Sequence, residues 1–124
     1  MNNTIKCTYN SKNKIFIKSY HGDIYLEDVV NSWKEIISKK IIPENFQGII
    51  VDLRKGVIKM TIEESVGVSQ FYKNNLSLFG NKKIAYITNS PIKTVYSMLV
   101  EQKDKGYKTK TFSYKEAAIY WILN

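Results

Sequence analysis

The stretch that most constrains this chain is Ile49, Ile50, Val51, Asp52, Leu53, in which four of five consecutive side chains are apolar. A strand with one face in water alternates apolar and polar residues. A run that is apolar on both faces reads as a strand covered from both sides, the centre of a sheet layered between helices. Shortly afterwards Thr61, Ile62, Glu63, Glu64 has the form of a capping box, in which a threonine and a glutamate three residues later satisfy each other's backbone N–H groups at a helix start. Strand followed by helix predicts an α/β chain. The same passage lacks the nucleophile, glycine-rich phosphate loop or metal ligands that an enzyme of this architecture often carries at this place.

The remaining elements are read from local signals. Ile5 to Tyr9 and Lys14 to Tyr20 read as strands joined by the turn formers Asn10, Ser11, Lys12, Asn13, and so as an antiparallel pair. Leu26, Val29, Val30, Trp33, Ile36 and Ile37 repeat at three and four residues, giving a helix with one apolar stripe that ends near Lys39 and Lys40. Pro43 and Gly48 bracket the loop into the central strand. After Thr61 the second helix is expected to turn Ile62, Val66, Phe71 and Tyr72 inward, with Ser65, Gly67 and Ser69 allowing close approach to the sheet. Lys83 to Thr88 forms another interior strand. Asn89, Ser90, Pro91 then open a third helix with Ile92, Val95, Tyr96 and Leu99 inward, stopping before Gly106. Tyr107 to Phe112 alternates like an edge strand, and Ser113 to Glu116 suggests a second capping box before a last helix that buries Ala117, Ala118, Trp121 and Ile122. The order is ββαβαβαβα, with no internal repeat or linker, so residues 1–124 read as a single domain.

This layout resembles the STAS superfamily, also called SpoIIAA-like, which includes anti-sigma factor antagonists and a lipid-associated branch related to Sec14-type domains. Two motifs carry the resemblance. Tyr20, His21, Gly22, Asp23, Ile24 stands where the family ends its second strand, and Ile50, Val51, Asp52, Leu53 matches its third. The resemblance implies an α/β fold with a mixed, mostly parallel central sheet, a non-enzymatic interaction or regulatory role, and a protein partner met through the second helix and the loop before it. Anti-sigma factor antagonists carry an Asp-Ser-Ser-Gly type signature at the start of that helix, whose serine is phosphorylated. Here the place reads Lys59, Met60, Thr61, Ile62, Glu63. Thr61 is the one hydroxyl for phosphorylation there, and as the partner of Glu64 it is already explained as a cap. The chain therefore looks more like a divergent, uncharacterised bacterial branch than a phospho-switched antagonist.

Ligands of open α/β sheets gather beyond the C-terminal ends of the parallel strands. That rule nominates Asp52, Arg54 and Lys55 after the central strand and Asn89 and Ser90 after the next, beside the helix starts at Thr61 and Pro91, as a pocket for an anionic small molecule or lipid. The competing structural reading is that Asp52 pairs with Arg54 while Asn89 and Ser90 cap a helix. His21, the sole histidine, has no evident serine or cysteine partner in the sequence, which places an enzyme third among the readings; a cavity bringing it close to a carboxylate and a hydroxyl would raise that reading.

The formal charge of +8 raises a nucleic-acid partner, yet of 19 basic residues only Arg54 is arginine and the lysines are dispersed. The composition argues against nucleic acid. Cys7 has no second cysteine for a disulfide or a metal site and reads as an apolar filler of the first strand. No metal or cofactor is implied. No apolar stretch approaches the roughly 18 residues of a membrane span, and the N-terminus lacks the layout of a signal peptide, so the expected location is the cytoplasm. Phe71, Tyr72, Leu76, Leu78 and Phe79 are expected either to close a helix end or, if exposed, to mark a protein or membrane contact.

Overall fold

In a computed structural model, which describes residues 3–101 and 106–124, the side chains of 99–101 apart, the elements occur in the expected order. They are β1 (Asn3–Asn10), β2 (Ile15–Ile24), α1 (Leu26–Ser38), β3 (Gly48–Ile58), α2 (Ile62–Lys73), a single extra turn α3 (Leu76–Phe79), β4 (Lys83–Ile87), α4 (Pro91–Glu101), β5 (Lys108–Phe112) and α5 (Lys115–Leu123). The five strands lie in the order β1-β2-β3-β4-β5. β1 pairs antiparallel with β2, and every other pair is parallel. β3 is central, and Ile49, Ile50, Val51 and Leu53 are all buried.

Two unequal layers cover this sheet. On one face Ile49, Val51 and Leu53 of β3 meet α1 and α2 in a large core where Trp33 packs edge to face with Tyr72 and Phe79, which are tilted against each other. On the other, Ile50 joins Ile15, Ala85 and Ile87 under α5 alone, through Ala118 and Ile122. Gly48 is required where α5 crosses β3, since a Cβ there would stand 2.6 Å from the Ile122 side chain and 2.9 Å from the Lys83 carbonyl. The Phe71–Phe79 cluster proves to be a closure: Tyr72 and Phe79 are buried and Phe71 and Leu78 pack against the core, with only Leu76 exposed.

Several side chains face the other way from the sequence reading. α2 buries Ser65, Val68, Ser69 and Tyr72, while Ile62 and Val66 are exposed. The small serines let α2 lie close to the sheet and return their hydroxyls to the carbonyls of Ile62 and Val66. α4 likewise buries Ser97 and exposes Ile92 and Val95, with Tyr96 half-buried and Leu99 outside the described side chains. Ala117 is exposed beside the buried Ala118. The Ser113 capping box does not form; α5 starts after Tyr114 without a side-chain cap. The Thr61 box does, with Glu64 N–H donating to Thr61 Oγ1 at 3.1 Å and Thr61 N–H to Glu64 Oε1 at 2.8 Å. Cys7 is exposed rather than core filler, because β1 is an edge strand that α1 only partly covers.

Candidate functional site

The residues nominated by the strand-end rule lie on a part of β3 that outruns its neighbour. β4 pairs with β3 only as far as Asp52–Ile87, whereas β3 continues beside β2 to Ile58. Carbonyls beyond that point lose their sheet partners and must find others. Lys93 of α4 supplies them, its Nζ donating to the carbonyls of Leu53 (3.1 Å) and Arg54 (3.0 Å) and to Asn89 Oδ1 (2.9 Å). Asn89 Nδ2 also donates to the Arg54 carbonyl at 3.2 Å. Asn89 is thus a brace between strand and helix. Ser90 does cap α4, accepting a long 3.4 Å bond from Lys93 N–H.

On the α5 face, Asp52 takes Arg54 in a two-pronged grip. Arg54 Nε donates to Oδ1 at 3.0 Å and Nη2 to Oδ2 at 2.8 Å, and the Arg54 backbone N–H adds a third bond to Oδ1. Burial alone would push the Asp52 carboxyl up, but these bonds and the guanidinium charge hold it below its ordinary value. The ion pair of the competing structural reading is therefore realised, and the Arg54 edge facing Asp52 is engaged.

The β2–β3 register contains one irregularity, and it falls here. Ser19 pairs with Asp52 and His21 with Lys55, so two steps along β2 match three along β3. An extra residue in one strand re-aims the side chains beyond it. Without it Asp52 and Lys55 would point to opposite faces; with it, Ser19, His21, Asp52, Arg54 and Lys55 line one cleft, with Tyr20 at its edge. The cleft has a volume of about 220 Å³. His21 Nδ1 is itself closed off from solvent and meets no hydrogen-bond partner among the described residues. Thr61 belongs to the α2 cap, and no hydrogen bond of the described residues ties it to this group.

Sequence reasoning paired His21 with nothing, yet the fold gives it a carboxylate and a hydroxyl as neighbours. They do not form a proton relay: both Asp52 oxygens are held by Arg54, and no hydrogen bond among the described residues links Ser19, His21 and Asp52. No group of three or more metal-ligating side chains occurs among the described residues.

Two further features lie on the opposite, α1/α2/α4 face. A small cavity of about 40 Å³ is walled almost wholly by apolar atoms, among them those of Tyr20, Val51, Leu53, Met60, Val68 and Tyr96. Outside it, α2 and its neighbour α4 each carry an apolar stripe in water: Ile62 (52% exposed) and Val66 (47%) on one, Ile92 (60%), Val95 (46%) and Met98 (48%) on the other. Lys18 is fully buried on that same face, its Nζ donating to Ser32 Oγ at 2.6 Å and lying 4.0 Å from the Trp33 ring. The sequence offered a signal for it, a lysine between Phe16 and Tyr20 at the inward-facing positions of β2. It offered none for Lys93 as a bridge or for the cleft.

No family model and no curated protein matches this sequence. Solved structures do. An uncharacterised protein of the DUF3478 family with a SpoIIAA-like fold, from Shewanella loihica PV-4, superposes with a TM-score of 0.66 at 12% identity, over 98% of this chain and 94% of its own. The anti-sigma factor antagonist SpoIIAA in its unphosphorylated form superposes with a TM-score of 0.56 at 12% identity, over 96% and 97%. At this identity the likeness concerns the fold. The class of protein defined here is thus an α/β domain with a mixed, mostly parallel five-stranded sheet. Its particular form is the SpoIIAA-like fold.

Proposed function

We propose that this domain is a non-enzymatic protein-interaction module whose partner, another protein, docks on α2 and α4. The observation that carries the reading is the pair of exposed apolar stripes, Ile62 and Val66 on α2 and Ile92, Val95 and Met98 on α4, on two helices that pack against each other. Support also comes from SpoIIAA, a protein of the same fold named as an antagonist of an anti-sigma factor. The interaction is not switched by phosphate at Thr61, whose hydroxyl is held in the cap beside the Glu64 carboxylate, a charge that repels phosphate. Affinity purification from the native cells tests the reading. A stoichiometric partner should be captured by the wild type and lost with folded Val66→Asp and Val95→Asp variants; repeated purification without such a partner overturns it.

The walled cavity supports a second reading, an apolar small-molecule or lipid carrier. At about 40 Å³ it has room for a few waters and must widen to hold a ligand. Native mass spectrometry of gently purified protein separates the two, since a carried ligand adds a defined mass and a docking surface adds none.

A further inference from the structure

We infer that the cleft between β2 and β3 on the α5 face is a binding site for a small phosphate group, lying across the sheet from the proposed docking helices. Three observations carry this. First, the irregular register brings donors of three kinds to one place, the Ser19 hydroxyl, the His21 imidazole, and the Arg54 and Lys55 cations, where a regular strand would send Lys55 to the other face. Second, Asp52 fixes the guanidinium through Nε and Nη2, so its remaining N–H groups are held in position rather than left to a mobile side chain. Third, His21 Nδ1 is enclosed without a partner. With Nδ1 closed off from solvent, the ring offers its other nitrogen, Nε2, which is not so enclosed, to an acceptor oxygen in the cleft.

Donors converging from two strands match the several oxygens of a tetrahedral phosphate better than the two of a planar carboxylate. The volume of about 220 Å³ is below the range of drug-sized pockets, which fits a phosphate with few attached atoms. One carboxylate lines the cleft and another acts on it through its charge. Asp52 is engaged by Arg54, and Glu116 of α5 acts on Arg54 through its charge and opposes an anion. Glu116 therefore limits affinity.

Nuclear magnetic resonance titration of ¹⁵N-labelled protein tests the site, with inorganic phosphate, glycerol phosphate and acetate as probes. Phosphate is expected to shift the His21 ring nitrogens saturably, to bind about tenfold more weakly to His21→Phe and to Lys55→Ala, and to bind more tightly to Glu116→Gln. Lys55 is exposed, so its variant keeps the fold. Tighter glycerol phosphate than inorganic phosphate assigns the ligand as a monoester, and equal binding assigns free phosphate; both support the site. Acetate binding as well as phosphate, unweakened binding to both variants read from backbone amide shifts, or an unmoved His21 in the wild type would overturn it. Val66→Asp and Val95→Asp should leave the titration unchanged, so the outcome is independent of the docking surface.

Discussion

Lys18 donates to Ser32 across the β2–α1 interface at 2.6 Å, with no water-facing surface of its own. Burial pushes its ammonium well below the ordinary lysine range, against a smaller upward pull from Cys7. The native state therefore holds fewer protons than the unfolded chain between that lowered value and the ordinary one. Stability rises with pH across this window, is complete above the unfolded lysine value of about 10.4, and falls as pH drops toward the lowered one. Lys18→Met, similar in volume and apolar, should raise stability by about 1–3 kcal/mol at neutral pH and flatten that dependence. Denaturant melts of both proteins from neutral to alkaline pH check this, and parallel curves would refute it.

Thr61 and Glu64 exchange two hydrogen bonds at the start of α2. Thr61→Ala should cost about 1 kcal/mol. Because the pair acts as one unit, adding Glu64→Ala should cost less than its separate effect. A double-mutant cycle by urea melting measures the shortfall; full additivity would mean that the box contributes nothing as a pair.

Lys93 is the tie between α4 and the overhanging end of β3. Lys93→Met takes the side-chain donor from the Leu53 carbonyl and leaves the Arg54 carbonyl with Asn89 alone, which should lower stability by about 1–3 kcal/mol. The effect should be local, with faster amide hydrogen exchange in the N-terminal turn of α4 and little change in β4. Uniform acceleration throughout the sheet would contradict the tie.

Gly48 faces both the Ile122 side chain and the Lys83 carbonyl. Gly48→Ala should destabilise by about 1–3 kcal/mol. A further Ile122→Val change should recover little, since the carbonyl at 2.9 Å remains; thermal melts of the single and double variants read this directly.

The fold was legible because its signals are local and strong. The apolar run Ile49–Leu53, the Thr61 cap and the Pro91 start each act within a few residues, and each is found where expected. Helix faces were less legible. Counting Ile62, Val66, Ile92 and Val95 as inward assumed that apolar residues seek the sheet, but close packing favoured Ser65, Ser69 and Ser97. At the site, the Asp52–Arg54 pair was readable from two residues on one strand face. The joining of His21 and Ser19 to it was not, because it depends on how two distant strands are aligned.

That alignment has a genetic corollary. Holding Arg54 and Lys55 together beside Asp52, with Leu53 still in the core, depends on the length of the segment between Asp52 and Lys55 as well as on the residues that fill it. Point substitutions can remove donors from the group, whereas deleting a single codon there leaves one residue between Asp52 and Lys55, which keeps those two on one face but takes Arg54 out of the cleft, either by its own loss or by turning it toward the core in place of Leu53. In this strand, spacing is inherited as information in its own right.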